Sequence, residues 1–326
     1  NSFNAEHRGG DKDDWNVMKG AVGTEYYRGQ HVNSYNRNGR LQDGSRDMWD
    51  WLFHTYFDAD RYGINTPNRN IISDQEMAEI AQYVDLDQFI DYMITLWSIS
   101  RADFPTKNWY AAWEGGAPGT PPDEPIHFYV WDSEASLGGT GQSIPADRWN
   151  SPTASNDTAP VRMYWRLITN ENFRLRWMDR AYELLGDGGA LSDEANMERF
   201  AELASQIDLA IIAESARWGD SATLHVDDPM TKDHWLAEYD RLMTEWFPGR
   251  SEIILAEMAA AGLIDAPAAA GVAPRNGLVD PGTHVDLFSA GGNIEIWYTL
   301  DGTDPMDGGG LLMPLTETLA GPMLGE

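Results

Sequence analysis

The periodicity of apolar positions divides the chain into recognisable elements. Residues 15–19 (WNVMK) form a short apolar run after the acidic stretch 11–14 and read as a strand. At 47–57 the period turns helical, with Met48, Trp51, Leu52 and Tyr56 on one face. Ser73 is placed to cap a second helix, and Glu76 three positions on completes a capping box. Asp85 or Asp87 caps a third helix over 88–99, whose Phe89, Ile90, Met93, Ile94 and Trp97 recur at helical spacing and belong in a core. Two apolar runs, 109–113 and 126–131, flank a Gly- and Pro-rich stretch and are expected to pair as a hairpin. From Arg162 the pattern is helical for about a hundred residues: 163–185 ending at Gly186, 192 to about 218, 231–247 stopped by Pro248, and 250–261 with Gly262 as the C-cap.

Between these elements the composition shifts. Apart from its one strand, 1–46 is polar, Gly- and Asn-rich, and reads as the irregular edge of a lobe whose other strands lie upstream. The chain opens Asn-Ser-Phe without Met, in what reads as the middle of a domain, so a truncated N-terminal lobe is expected. Residues 264–271, which include APAAAG, read as a linker. Beyond it, turns and short alternating runs at 283–288 and 294–299 predict a small β-sandwich over 272–326. The class is α+β.

A length of 326 residues suits one large domain or two ordinary ones, and 42% hydrophobic residues can build a sizeable core. The formal charge of −29 argues against nucleic acid and anionic membranes and suits cationic partners or divalent metals. With no Cys, thiolate metal sites and disulfides are excluded. No run is long and apolar enough for membrane insertion. The histidines are scattered without ligand spacing.

Candidate chemistry concentrates in 100–134. Asp103 is followed five residues later by Asn108, and the strand 126–131 delivers Asp132. A carboxylate base, an amide and a second carboxylate in this order are how protein kinases place a catalytic base and two metal ligands. The competing reading has Asp103 capping a turn before Pro105, Asn108 bonding loop backbone and Asp132 capping a strand end. Lys107 is a candidate phosphate contact and Glu134 a further metal ligand. Arg101 is a candidate to orient a phosphorylated residue but reads first as a surface residue, and Lys19 sits too near the lobe junction to be assigned to a nucleotide. The Gly-rich stretch 138–141 lacks the Lys and Ser/Thr of a phosphate-binding P-loop.

Several stretches together resemble the CotH kinase family, the spore coat protein H-like proteins: DDWNVMKG (13–20), FIDYMITLWSISRADFPTKNWYAAW (89–113), HFYVWDSE (127–134), LITNENFRLRW (167–177), ARWGD (216–220) and WFPGRSEIIL (246–255). The resemblance covers roughly 1–263. The tail, through LVDPGTHVDL (278–287) and IWYTLDGTDP (296–305), resembles the chitobiase/β-hexosaminidase C-terminal domain, an Fn3-like module. The first resemblance implies a protein-kinase-like fold with a mostly helical C-terminal lobe, and ATP- and Mg²⁺-dependent phosphorylation of Ser or Thr hydroxyls on a protein substrate. It also implies a bacterial extracellular or cell-surface location. Asp103 then matches the catalytic-loop Asp and Asn108 the metal-binding Asn. Asp132 takes the metal role of the DFG Asp, although the tripeptide here is Asp-Ser-Glu. The alternative is a non-catalytic structural or adhesive surface protein that retains the scaffold, with carbohydrate processing a third reading.

Overall fold

A computed structural model describes residues 2–20, 24–27, 30–33, 39–57, 71–101, 108–138, 158–221, 229–264, 271–273, 282–288, 296–300 and 311–312. The strand expected at 15–19 is present as Trp15–Lys19 (β1), with Trp15 and Met18 wholly buried. The rest of 1–46, read as irregular, supplies more than expected: a helix Ser2–Arg8 (α1), a two-stranded pair Thr24–Tyr27 (β2) and Gln30–Asn33 (β3), and Arg40–Asp43 (β4). β4 lies at a sheet edge with Arg40, Gln42 and Asp43 exposed. A short, charged edge strand carries no apolar alternation, so it is invisible to periodicity.

The predicted hairpin forms from Trp109–Glu114 (β5) and Glu124–Val130 (β6). With it, β1 and β4 complete an antiparallel sheet in the order β4-β1-β5-β6. Gly20, just past β1, donates its N–H to the Trp109 carbonyl at 2.7 Å. A Cβ there would lie 2.5 Å from Trp109 Nε1, so only glycine lets the strand end pass the indole.

Asp47–Leu52 (α2) runs into a π turn, Phe53–Phe57. The buried face is Met48, Trp49, Leu52, Phe53 and Phe57, while Trp51 and Tyr56, expected inside, are only half-buried. Trp49 takes the inner place because its ring stacks on Trp113 at 5.6 Å and on Trp109 at 6.0 Å. Asp74–Ile80 (α3) carries the predicted capping box: Ser73 Oγ accepts from Glu76 N at 3.2 Å, and Glu76 Oε2 accepts from Ser73 N at 2.9 Å. Leu86–Ser98 (α4) is capped by Asp85, whose carboxylate accepts from Gln88 N at 3.0 Å; this selects Asp85 over Asp87. α4 is buried on almost every side, as an all-round apolar helix must be, and it packs against β6.

The run expected as one helix over 163–185 is two, Ala159–Leu167 (α5) and Glu171–Leu185 (α6). Asn170 divides them. Its Oδ1 accepts from Phe173 N at 2.9 Å, and its amide donates to Ile72 O at 3.0 Å and Asp74 Oδ1 at 2.8 Å. The next run is likewise divided, into Asp193–Ile207 (α7) and Ala210–Trp218 (α8). Lys232–Arg241 (α9) continues as a π turn through Leu242–Trp246, and Arg250–Ala260 (α10) closes the helical part. Gly262 ends α10 at φ 70°, with the Leu263 N–H returning to Met258 O at 2.9 Å, as expected of the C-cap glycine. α6 and α10 both pack on α4, so the central helix lies between helices and the sheet within one apolar core.

On β6, His127 is buried beside Arg8 of α1. Arg8 donates to Glu124 Oε1 at 3.1 Å and lies 2.9 Å from His127 Nε2, while Asp85 Oδ2 is 3.5 Å from Nδ1. Burial, then the Arg8 charge, lowers the His127 pKa against the opposing pull of Glu124 and Asp85. Glu124 Oε1 also lies 2.9 Å from His127 Nε2, so Arg8 and Glu124 meet at one ring nitrogen.

Beyond 264, two antiparallel pairs are described: Gly271–Ala273 (β7) with Asp286–Phe288 (β8), and Trp297–Tyr298 (β9) with Leu311–Leu312 (β10). The start of the strand expected at 294–299 lies outside the described residues. Among the described residues no helix is long and apolar enough to cross a membrane.

Candidate functional site

The site starts where α4 ends. Arg250, at the start of α10, donates Nε to Ser98 O at 2.8 Å and a terminal nitrogen to Ser100 Oγ at 2.5 Å, and its guanidinium lies 4.5 Å over the Trp246 ring. These contacts close the C-terminal end of α4, whose last carbonyls have no helical partner. Burial pushes the Arg250 guanidinium down to about 10, opposed by the Glu257 and Asp193 charges, so it is still a cation at neutral pH. Ser100 follows with φ 48°.

Arg101, expected on the surface, is wholly buried. One terminal nitrogen donates to Asn108 O at 3.2 Å and the other to Asp132 O. The reason is geometric. Trp109 pairs with Val130 as the last rung of the β5–β6 ladder, so the carbonyls just outside it need donors from elsewhere. A planar guanidinium with five N–H groups can reach both at once.

Asn108 and Asp132 therefore stand at the same open end of one hairpin, clipped by one side chain. Both hold left-handed backbone, φ 64° and 57°. Asn108 is buried, whereas Asp132 is exposed. β1 ends here too: Lys19 pairs with Tyr110, and its ammonium lies 5.2 Å from the Tyr110 ring and 5.7 Å from that of half-exposed Trp131. Position near a lobe junction kept Lys19 out of the candidate set, yet the sheet register places it beside this end.

The chain after Asp132 folds back to the end of α4. Ser136 Oγ donates to Ser133 O at 2.6 Å, and Leu137, at φ 55°, gives its N–H to Ile99 O at 2.9 Å. Arg241 of α9 holds the Leu137 carbonyl at 2.9 Å. Among the described residues, the four non-glycine positions with positive φ are Ser100, Asn108, Asp132 and Leu137, all in these two facing segments.

Of the other predicted site residues, Glu134 is exposed two positions past Asp132, with no hydrogen bond or ion pair to Asn108 or Asp132 among the described residues. Asp103 and Lys107 lie outside the described residues. Among the described residues no group of three or more His, Asp or Glu side chains is arranged to hold a metal ion. The Asn108 amide and the Asp132 carboxylate nonetheless offer oxygen donors of the kind a hard divalent cation takes, leaving further positions to water and phosphate.

Sequence reasoning missed Arg101, Arg250 and Ser100. No local pattern marks them, because Arg101 serves carbonyls of the β5–β6 hairpin and Arg250 reaches back 152 residues to the end of α4.

A family model described as CotH kinase protein matches residues 7–253. No curated protein matches the chain. The matched span runs from α1 to the start of α10 and includes the whole sheet, the central helix and both segments of the site. The chain belongs to the CotH kinase protein family.

Proposed function

We propose that the protein is an ATP- and Mg²⁺-dependent kinase that phosphorylates Ser or Thr hydroxyls on exported or coat proteins at the cell surface. One observation carries this reading. Among the described residues, the left-handed non-glycine positions fall in the two segments that present Asn108 and Asp132, and backbone held in sparsely populated regions clusters where a site must be preorganised. Asn108 and Asp132 are assigned as metal ligands, with Glu134 as an outer carboxylate. Asp103 is assigned to orient and deprotonate the attacking hydroxyl, and Lys107 to meet phosphate. Held there, Mg²⁺ would offset the charge of the nucleotide phosphates during transfer. Asp132 holds its carboxylate toward solvent, open to an incoming nucleotide, and Asn108 adds a neutral donor that does not repel phosphate.

Family membership supports kinase-like chemistry, and the acidic surface favours a cationic protein acceptor. We further assign 272–326 to an Fn3-like module of the chitobiase C-terminal type that serves docking, supported by its two antiparallel strand pairs. The test is transfer of labelled γ-phosphate by the full-length protein to dephosphorylated casein. Asp132→Ala is expected to lower the rate by about a hundredfold or more, and chelation of Mg²⁺ to abolish it. Undiminished transfer by Asp132→Ala overturns the assignment.

A further inference from the structure

We infer that Arg101 is a positioning residue for the metal ligands, acting through the backbone of Asn108 and Asp132; the inference rests on the kinase reading above. Its guanidinium is wholly buried and spans the carbonyls of the two residues, at 3.2 Å to Asn108 O with its other terminal nitrogen on Asp132 O. Both residues lie just outside the last paired rung of the hairpin, so no ladder bond fixes them. Both also adopt positive φ, which an unrestrained L-residue leaves readily. A peptide that flips at either position swings the side chain away from its neighbour. One planar cation bound to both carbonyls blocks both flips together and sets the separation of the two ligands.

Arg101 touches neither ligand side chain in these bonds. Through these bonds it holds backbone and leaves the Asp132 carboxylate, which is exposed, to the metal. Lysine cannot reproduce the arrangement, because a single ammonium has no planar fork to span two fixed acceptors. The role expected is on metal affinity, not on acceptor recognition.

The experiment measures Mn²⁺ binding by electron paramagnetic resonance of the free ion, with a non-hydrolysable ATP analogue, and the Mg²⁺ dependence of transfer to casein. It compares full-length wild type, Arg101→Met, Arg101→Lys and Asp132→Ala. Asn170→Ala, at a side chain that bonds Ile72, Asp74 and Phe173, controls for general loss of stability. Arg101→Met is expected to weaken Mn²⁺ binding and raise the Mg²⁺ half-saturation about tenfold or more, with the KM for casein unchanged. Arg101→Lys is expected to recover only part of the shift, and Asn170→Ala to leave both values at wild type. Should Arg101→Met fail to fold, Arg101→Lys decides: a rise of about threefold or more supports the role. An unchanged Mg²⁺ half-saturation in a folded Arg101 variant overturns it, as does an equal shift in Asn170→Ala. Failure of the kinase reading looks different, because wild type itself then shows no metal-dependent transfer and Asp132→Ala no loss.

Discussion

Left-handed backbone costs a non-glycine residue about 1–2 kcal/mol, and Asp132 bears that cost with its side chain in solvent. Asp132→Gly removes the strain and little buried surface. It is expected to raise stability by about 0.5–1 kcal/mol, after glycine's greater unfolded-state entropy is counted, while transfer is lost. Thermal melts beside the casein assay check both halves; a lower melting temperature contradicts the strain. Arg250 has the opposite character. Arg250→Met keeps packing against Trp246 but leaves the Ser98 carbonyl and Ser100 hydroxyl without their donor. The expected loss is about 1–3 kcal/mol, seen as a lower urea midpoint at unchanged slope. At this scale the sequence was legible where chemistry attaches to residue type. Asn108 and Asp132 were identifiable as oxygen donors beside a strand. Arg101 was not, because its partners are backbone carbonyls, and only the folded hairpin reveals which carbonyls lack a ladder bond.

Elements were easiest to read where local chemistry closes on itself. The Ser73–Glu76 box, the Asp85 cap and the β5–β6 hairpin each involve residues near one another in sequence. The break at Asn170 was missed because two of its three side-chain bonds are non-local, to Ile72 and Asp74. Asn170→Ala therefore removes a cap and two further bonds, with an expected cost of about 2 kcal/mol by denaturant titration. The contact of α1 with β6 sets a pH dependence. The folded His127 pKa lies below its unfolded value of about 6.5, so in the window just below that value the unfolded chain binds more protons. Stability is thus fully present above about pH 6.5 and falls as pH drops toward the folded pKa. His127→Gln is expected to flatten that slope in melts between about pH 5 and 7; an unchanged slope would assign it to other groups.

Over the whole molecule, a charge of −29 sets the balance between self-repulsion and specific ion pairs. Arg176–Asp87 at 2.6 Å and Arg180–Asp91 at 2.5 Å tie α6 to α4, but they are partly exposed and each contributes only about 0.2–1 kcal/mol. Salt weakens these pairs and the repulsion alike. With so large an excess of acid, repulsion dominates, and the melting temperature is expected to rise as NaCl goes from about 0.01 to 0.5 M, where the Debye length contracts severalfold. A falling melting temperature would show the ion pairs to be dominant. The acidity and the mixture of helix and sheet were readable from composition and period, but the edge strand β4 and the divided helices were not, since each is decided by tertiary partners. The closure of α4 by Arg250 has a consequence for biosynthesis. The contact between Ser100 and Arg250 spans 150 residues, so at about 5–20 residues per second a ribosome takes about 8–30 s to deliver the second partner after the first. Through that interval the nascent hairpin carries Asn108 and Asp132 without the brace behind them, and a chain released before residue 250 cannot make the Ser100–Arg250 contact.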